Sequence, residues 1–257
     1  MPIDILIPQD NEKELLARAK ELGYSDVVFL YPFKSRGEIL ETKEKLRKLF
    51  LAAENQKDFP SEKKKFPNTK IGTVIIANRA SDLKKLQSLY LDSDLIAVQT
   101  FEENVVRSAA TNPLIDIICG ITTSRGRDHL EYRRGNLNAI VANIMQANKI
   151  SYGLSFAHLY AGKGTGGYPS YPLAKILGRE MQNIRLARRK IPITIASFAS
   201  DVWQMRLPEN LSAIGRVLGL NFPQSKAATS GAIEAILKRK EHRRSKEFVR
   251  PGIRLVS

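Results

Sequence analysis

The sequence predicts an α/β fold arranged as a (β/α)8, TIM-like barrel, and three observations carry that expectation. Eight short apolar runs alternate with helical periodicities along the 257 residues. The runs are rich in Val, Ile, Leu and Ala with little polar alternation, the pattern of parallel strands covered on both faces. Eight β-then-α units in roughly 250 residues fit a closed barrel better than an open doubly wound sheet, which usually uses fewer strands.

The expected strands are residues 3–7 (IDILI), 26–30 (DVVFL), 71–77 (IGTVIIA), 95–98 (LIAV), 114–119 (LIDIIC), 151–156 (SYGLSF), 193–198 (ITIASF) and 226–229 (KAAT). A helix over 11–22 stops at Gly23, whose tolerance of left-handed backbone suits a helix end. A second, over 36–53, puts Ile39, Leu46, Leu49 and Phe50 on one side. Ser81 caps a third, reaching Tyr90, and further helices follow over 102–110 and 136–148. The helix over 172–190 turns Leu173, Ile176, Leu177, Met181 and Ile184 to one face, leaving Lys175, Arg179, Arg189 and Lys190 for solvent. Pro208 opens a helix running to Leu218 ahead of Gly219, and the last spans 231–240.

Residues 1–240 therefore read as a single barrel domain. Two segments break the rhythm: the polar, proline-bearing stretch 55–69, an exposed loop, and the glycine-rich stretch 159–171. From Lys238 onward the chain carries eight Lys/Arg against two Glu. A basic tail over 241–257 is thus expected, disordered until an anionic partner arrives.

Composition narrows the function. Forty-one Lys+Arg face 26 Asp+Glu, for a formal charge of +15 and a pI near 9.9. That is the electrostatic footprint of a nucleic-acid binder. The lone Cys119 lies in an apolar run, which excludes an internal disulfide and suits a reducing compartment. No apolar run approaches the ~20 residues of a membrane span, and the N-terminus does not read as a signal peptide. The expected location is the cytoplasm.

Barrel hydrolases gather His and Asp at strand ends. This chain has three histidines, His129, His158 and His242, with no His-x-His pair. Asp4 and Asp128 are isolated carboxylates. Gly162–Gly167 resembles a phosphate nest but lacks P-loop spacing. Ser197, Ser200 and the hydroxyls of residues 122–124 have no histidine base beside them in sequence. What strand ends do carry is hydroxyls and cations: Lys34 and Arg36, Arg79, Arg125 and Arg127, Lys163 and Arg206. Phosphate contacts supply affinity through counterion release, so dispersed cations act together. Aromatics make up only 7% of the chain, which favours recognition of shape and backbone over base stacking, with Trp203 the loop residue available for stacking or for a protein interface.

The block Ser197-Phe-Ala-Ser200-Asp-Val-Trp203-Gln-Met-Arg206-Leu-Pro208, with Gly215, Gly219-Leu220 and Pro223-Gln-Ser-Lys226-Ala-Ala-Thr-Ser230, resembles the ribonuclease P protein component 3 family, the p30-type subunit of archaeal and eukaryotic enzymes. Asp4 to Pro8, Leu22-Gly23 and Val105-Val106-Arg107 are similar to it as well. Where relatives often carry an Asp-His pair, this chain has Asn138 and Ala139, and residues 162–167 look like an insertion.

The resemblance implies a barrel related to the PHP metal-dependent phosphoesterases but without their metal ligands. It implies an RNA-binding, non-catalytic subunit of the endoribonuclease that removes the 5′ leader from precursor tRNA. The RNA component uses Mg2+ for hydrolysis, and this chain binds no cofactor and no metal. The implied partners are ribonuclease P RNA and protein component 2, with precursor tRNA met indirectly and no membrane. The expected RNA-binding residues are Lys43, Arg79, Arg107, Arg189, Arg206 and Lys226. For Arg206 and Lys226 the alternative is an ion pair with Asp201 or Glu209 that organises the barrel top. The alternative for the whole chain is a metal-dependent phosphoesterase acting alone.

Overall fold

In the computed structural model, residues 2–55, 67–124, 126–160, 173–244, 248–250 and 253–254 are described. Seven strands form one sheet in sequence order: β1 (Ile3–Leu6), β2 (Asp26–Tyr31), β3 (Asn68–Ile76), β4 (Ile96–Gln99), β5 (Ile117–Cys119), β6 (Ser151–Ser155) and β7 (Ile193–Ala196). Each neighbouring pair is parallel. Just past their ends β1 and β7 meet: Leu6 bridges Ala199, and the Ile7 amide donates to the Ala199 carbonyl at 2.8 Å. The result is a nearly closed TIM-like barrel.

Between the strands run α1 (Glu12–Glu21), α2 (Arg36–Asn55), a 3-10 turn (Ala80–Lys85) leading into α3 (Leu86–Leu89), α4 (Glu103–Ala110), α5 (Ala139–Ala147), α6 (Phe156–Tyr160), α7 (Leu173–Ala187) and α8 (Pro208–Val217). The helix expected over 81–90 is therefore half 3-10. The strand expected from residue 114 starts at Ile117, because the Asn112 side chain accepts the Leu114 amide and holds a turn there.

The eighth strand expected over 226–229 does not form. Lys226 instead ends α9 (Phe222–Lys226), and residues 227–229 belong to a π turn (Ala227–Gly231) that leads into α10 (Ala232–Arg244). Asn221 and Gln224 form a reciprocal capping box, and Pro223 sits in the first turn, so local chemistry starts a helix. The run KAAT offers only Ala as apolar content, with weak strand preference. The π turn packs against β7 and β1, backing the seam an eighth strand would fill.

Strand side chains alternate between two apolar environments. Ile3, Ile5, Val28, Leu30, Ala97 and Ile117 face inward and share a cluster with Ile233, Ile236 and Leu237 of α10. That helix closes the barrel interior. Outward-facing residues pack under the surrounding helices in two further clusters. Two glycines let strands approach: a Cβ on Gly72 would lie 2.6 Å from the Leu95 carbonyl oxygen, and one on Gly153 2.6 Å from Ile117 Cγ2.

The start of the basic stretch is helical. Its first cations belong to α10 and clasp the barrel: Arg239 to Asp116 at 2.7 Å and the Lys149 carbonyl, Arg243 to the Tyr90 hydroxyl, and Arg244 to Asp94 at 2.6 Å and the Ser93 carbonyl. Asp94 and Asp116 stand just ahead of β4 and β5, so the barrel itself supplies the anions. The boundary expected at residue 240 falls inside α10. Further on, β8 (Phe248–Arg250) and β9 (Ile253–Arg254) pair antiparallel. Residues 56–66 of the expected exposed loop lie outside the described residues, whereas Asn68 and Thr69 already belong to β3. Most of the glycine-rich stretch (161–171, with Lys163) and Arg125 also lie outside them.

Candidate nucleic-acid interface

The hydroxyls at the strand ends hold the barrel together. Ser197, immediately after β7, donates its amide to Asp4 Oδ1 at 2.8 Å and its hydroxyl to Asp4 Oδ2 at 2.6 Å. The Ile5 amide adds a third bond, so both carboxylate oxygens are engaged. Burial pushes the Asp4 carboxyl up to about 6 despite these bonds. Ser200 donates to Gln204 Oε1. Ser197 and Ser200 thus serve the barrel's own structure.

A second set of buried polar groups lies under the long segment after β5. Glu180 on α7 accepts from Thr122 Oγ1 at 2.6 Å and from the Tyr152 hydroxyl, and burial raises it to about 7. Asn183 donates to the Gly135 carbonyl at 2.7 Å and to the Tyr152 oxygen at 3.2 Å. Arg179, expected to face solvent, is 0% exposed. It donates to Asp128 and to the carbonyls of Thr122, Ser124 and Gly126, all within 2.9 Å. The helix turns Arg179 inward because residues 122–124 and 126–128 pass over it and bring three carbonyls and a carboxylate that one guanidinium fork satisfies together. Leu173 and Met181, expected on the apolar face, are exposed instead.

The groups able to hold a metal do not converge. Asp128 accepts from Arg179 and the Arg134 amide, His129 stacks on Tyr132, and His158 is half-buried and pushed down to about 4 by desolvation, hence neutral. Among the described residues no three His, Cys, Asp or Glu side chains come together as ligands. Cys119 is buried and its thiol raised to about 12.

The six expected RNA-binding cations do not share one mouth. Arg79 follows β3 and is exposed; Arg107 is exposed on α4; Arg189 is exposed just ahead of β7, at the opposite end of the strands. Lys43 on α2 donates to the Asp92 carbonyl. Arg206 donates to the Trp203 and Met205 carbonyls at 2.6 and 2.8 Å, and its guanidinium lies 4.8 Å from the Phe156 ring centroid. Lys226 is exposed in a cleft of about 450 Å³ with Glu209, Arg216, Phe222 and Ser230. Trp203 is 76% exposed on a 3-10 turn.

Sequence reasoning passed over Arg133, Arg134 and Arg185. They line a cavity of about 750 Å³ beside the segment held by α7. The available signal was the Arg133-Arg134 pair directly after Tyr132, which frames a turn with His129.

Two relatives named ribonuclease P protein component 3 are similar to this chain. That of Methanosarcina mazei is 25% identical over 215 residues, 80% of this chain and 83% of the relative. That of Methanococcoides burtonii is 22% identical over 183 residues, 70% and 69% of the two chains. Among solved structures, a chain of archaeal ribonuclease P with mature tRNA matches 99% of this chain and 98% of its own length, with a TM-score of 0.71 and 19% identity. A Xaa-Pro dipeptidase shares the fold more distantly, at a TM-score of 0.57 and 8% identity over 93% of this chain and 75% of its own. The family model described as RNase P subunit p30 spans residues 1–245. The chain belongs to the RNase P subunit p30 family.

Proposed function

We propose that this chain is an RNA-binding protein subunit of ribonuclease P, supporting a catalytic RNA that removes the 5′ leader of precursor tRNA. The observation that carries the reading is the family match across residues 1–245. The charge of +15 supports it, since such an excess favours a polyanionic partner. In this reading hydrolysis and its Mg2+ belong to the RNA, and the protein contributes cations and a rigid barrel. Protein component 2 is the proposed protein partner, and the complex works in the cytoplasm. Lys43, Arg79, Arg107, Arg189, Arg206 and Lys226 are proposed as phosphate contacts distributed around the barrel, the arrangement suited to a large folded RNA rather than a small ligand.

A barrel phosphoesterase acting alone is the weaker reading. Its strand ends would need convergent metal donors, whereas the Asp4 oxygens are taken by Ser197 and Ile5 amides and a hydroxyl. The test is reconstitution of precursor tRNA cleavage from ribonuclease P RNA and component 2, with and without this chain. Faster cleavage at limiting Mg2+ with the chain is expected. Cleavage indifferent to the chain, or a generic phosphodiester cleaved by the protein alone with Mn2+ or Zn2+, would overturn the proposal.

A further inference from the structure

The segment after β5 builds a surface that the strand-end hydroxyls do not. The His129 amide donates to the Tyr132 carbonyl at 3.0 Å, closing a tight turn. The two rings of that turn stack at 4.3 Å with planes 23° apart. Tyr132 is nevertheless 57% exposed, so one face of the stacked pair is open. Directly after it the Arg133 backbone is gripped from both sides: its amide donates to Gln182 Oε1 at 2.8 Å and its carbonyl accepts from Gln182 Nε2 at 2.7 Å. The Arg134 amide is held by Asp128, and the Gly135 carbonyl by Asn183. Two glycines make room for the guanidiniums. A Cβ on Gly178 would collide with that of Arg133, and one on Gly126 with that of Arg134.

The cavity these residues line has a volume of about 750 Å³, with Arg185 and Glu103 on its other walls. That lies within the ~300–1,000 Å³ of clefts that hold small ligands. Arg133, Arg134 and Arg185 form no ion pair with a carboxylate of the described residues. Three cations, an aromatic face and one carboxylate acceptor are the complement of a single nucleotide: phosphates to the guanidiniums, base to the ring, an exocyclic amino group to Glu103. A bare anion would leave the ring without purpose. A paired RNA helix keeps its bases stacked internally and would use only the arginines.

We propose that the cavity between the 129–139 segment and α7 is a docking pocket for one unpaired nucleotide of an RNA, stacked on the His129–Tyr132 pair and clamped by Arg133, Arg134 and Arg185. The inference rests on the reading of the chain as an RNA-binding subunit and adds a base-contacting site to it. Because Arg179, Gln182 and Asn183 fix the backbone beforehand, the pocket is preorganised and binding orders little chain.

The test uses the full chain with two probes, ribonuclease P RNA and a short single-stranded oligoribonucleotide of mixed sequence. Tyr132→Ala should weaken binding of the oligoribonucleotide about tenfold, the scale of one lost base stack, while Tyr132→Phe retains it. Arg133→Ala with Arg134→Ala should lower the salt slope by about two contacts. Ultraviolet crosslinking should place an adduct at Tyr132, and thermal melting should show the Tyr132 variants folded like the wild type. Wild-type binding to both RNAs with Tyr132→Ala unchanged and no adduct overturns the pocket alone. Binding of neither RNA by the wild type removes the underlying reading as well. Loss of component 2 association with RNA affinity intact would reassign the surface to a protein partner and overturn the proposal.

Discussion

Asp4 and Ser197 join the first and last strands of the barrel through two bonds to one carboxylate, at 2.8 Å from the Ser197 amide and 2.6 Å from its hydroxyl. The pair is wholly buried, at the point where an eighth strand would have supplied backbone partners. Ser197→Ala strands one oxygen of a buried carboxylate. It should cost ~1–3 kcal/mol in urea unfolding, more above pH 6, where the carboxylate is ionised, than at pH 5.

The same pair sets a pH dependence. The folded Asp4 carboxyl, at about 6, lies above its ordinary 3.8. Between those values the native state holds a proton that the unfolded chain has released, so stability falls as pH rises and levels off above about 6. The slope is at most ~1.4 kcal/mol per pH unit. Glu180, raised to about 7, acts in the same direction, whereas His158, lowered to about 4, acts oppositely. The Asp4 contribution is therefore the difference between wild type and Asp4→Asn, whose unfolding free energy should decline less between pH 4 and 6. Parallel pH profiles for the two proteins would contradict it.

Among the described residues Arg179 is the largest fully buried side chain, and it holds three carbonyls and Asp128 at once. Arg179→Ala should destabilise the protein by ~3–5 kcal/mol, the range for breaking a buried charged pair. Amide hydrogen exchange over residues 120–135 should rise with it. Arg179→Lys should not restore protection, because an ammonium cannot reproduce the planar fork.

Lys240 is buried with its ammonium 3.5 Å from the Tyr90 ring centroid and 3.7 Å from Asp116 Oδ2. Desolvation lowers it to about 8, against the upward pull of Asp116. Between about 8 and its ordinary 10.5 the unfolded chain holds the proton and the native state does not, so the Lys240 contribution to stability rises with pH across that window. Lys240→Met should abolish this rise and change stability at pH 7 by less than ~1.5 kcal/mol. Asp116→Asn, which leaves Arg239 and Lys240 facing an uncharged amide, should be the more damaging substitution in the same denaturation assay.

The parts of this fold that were legible in the sequence are those governed by local pattern. Seven of the eight apolar runs became strands because Val, Ile and Leu dominated them, and Gly23 and Pro208 bound the helices they suggested. The run 226–229 failed because Lys and Ala carry little strand preference, while the capping chemistry of Asn221 and Gln224 lies outside the window that suggested a strand. Arg179 was unreadable for another reason. Its charge places it outside by default, and only the return of the 120–135 segment over α7 makes burial favourable. The α10 cations follow the same logic: their partners Asp94 and Asp116 are more than a hundred residues away along the chain. Long-range charge pairing leaves no periodic trace, so a run of Lys and Arg looks alike whether it faces RNA or its own barrel.

That ambiguity gives Arg206 and Lys226 different expected behaviour. Arg206 is tied to the carbonyls of Trp203 and Met205 and lies over Phe156, so part of its role is to shape the turn that presents Trp203. Arg206→Ala should lower stability by ~1 kcal/mol, shift the Trp203 fluorescence, and weaken binding to ribonuclease P RNA. Lys226 is exposed at the end of α9, and its ammonium is available to a phosphate. Lys226→Ala should leave the melting temperature unchanged and reduce the salt slope of RNA binding by about one contact. Filter binding over a salt series, paired with thermal melting, separates the two. A slope unchanged in Lys226→Ala would remove it from the phosphate contacts. An Arg206→Ala protein with native fluorescence and a reduced slope would make that arginine a phosphate contact alone.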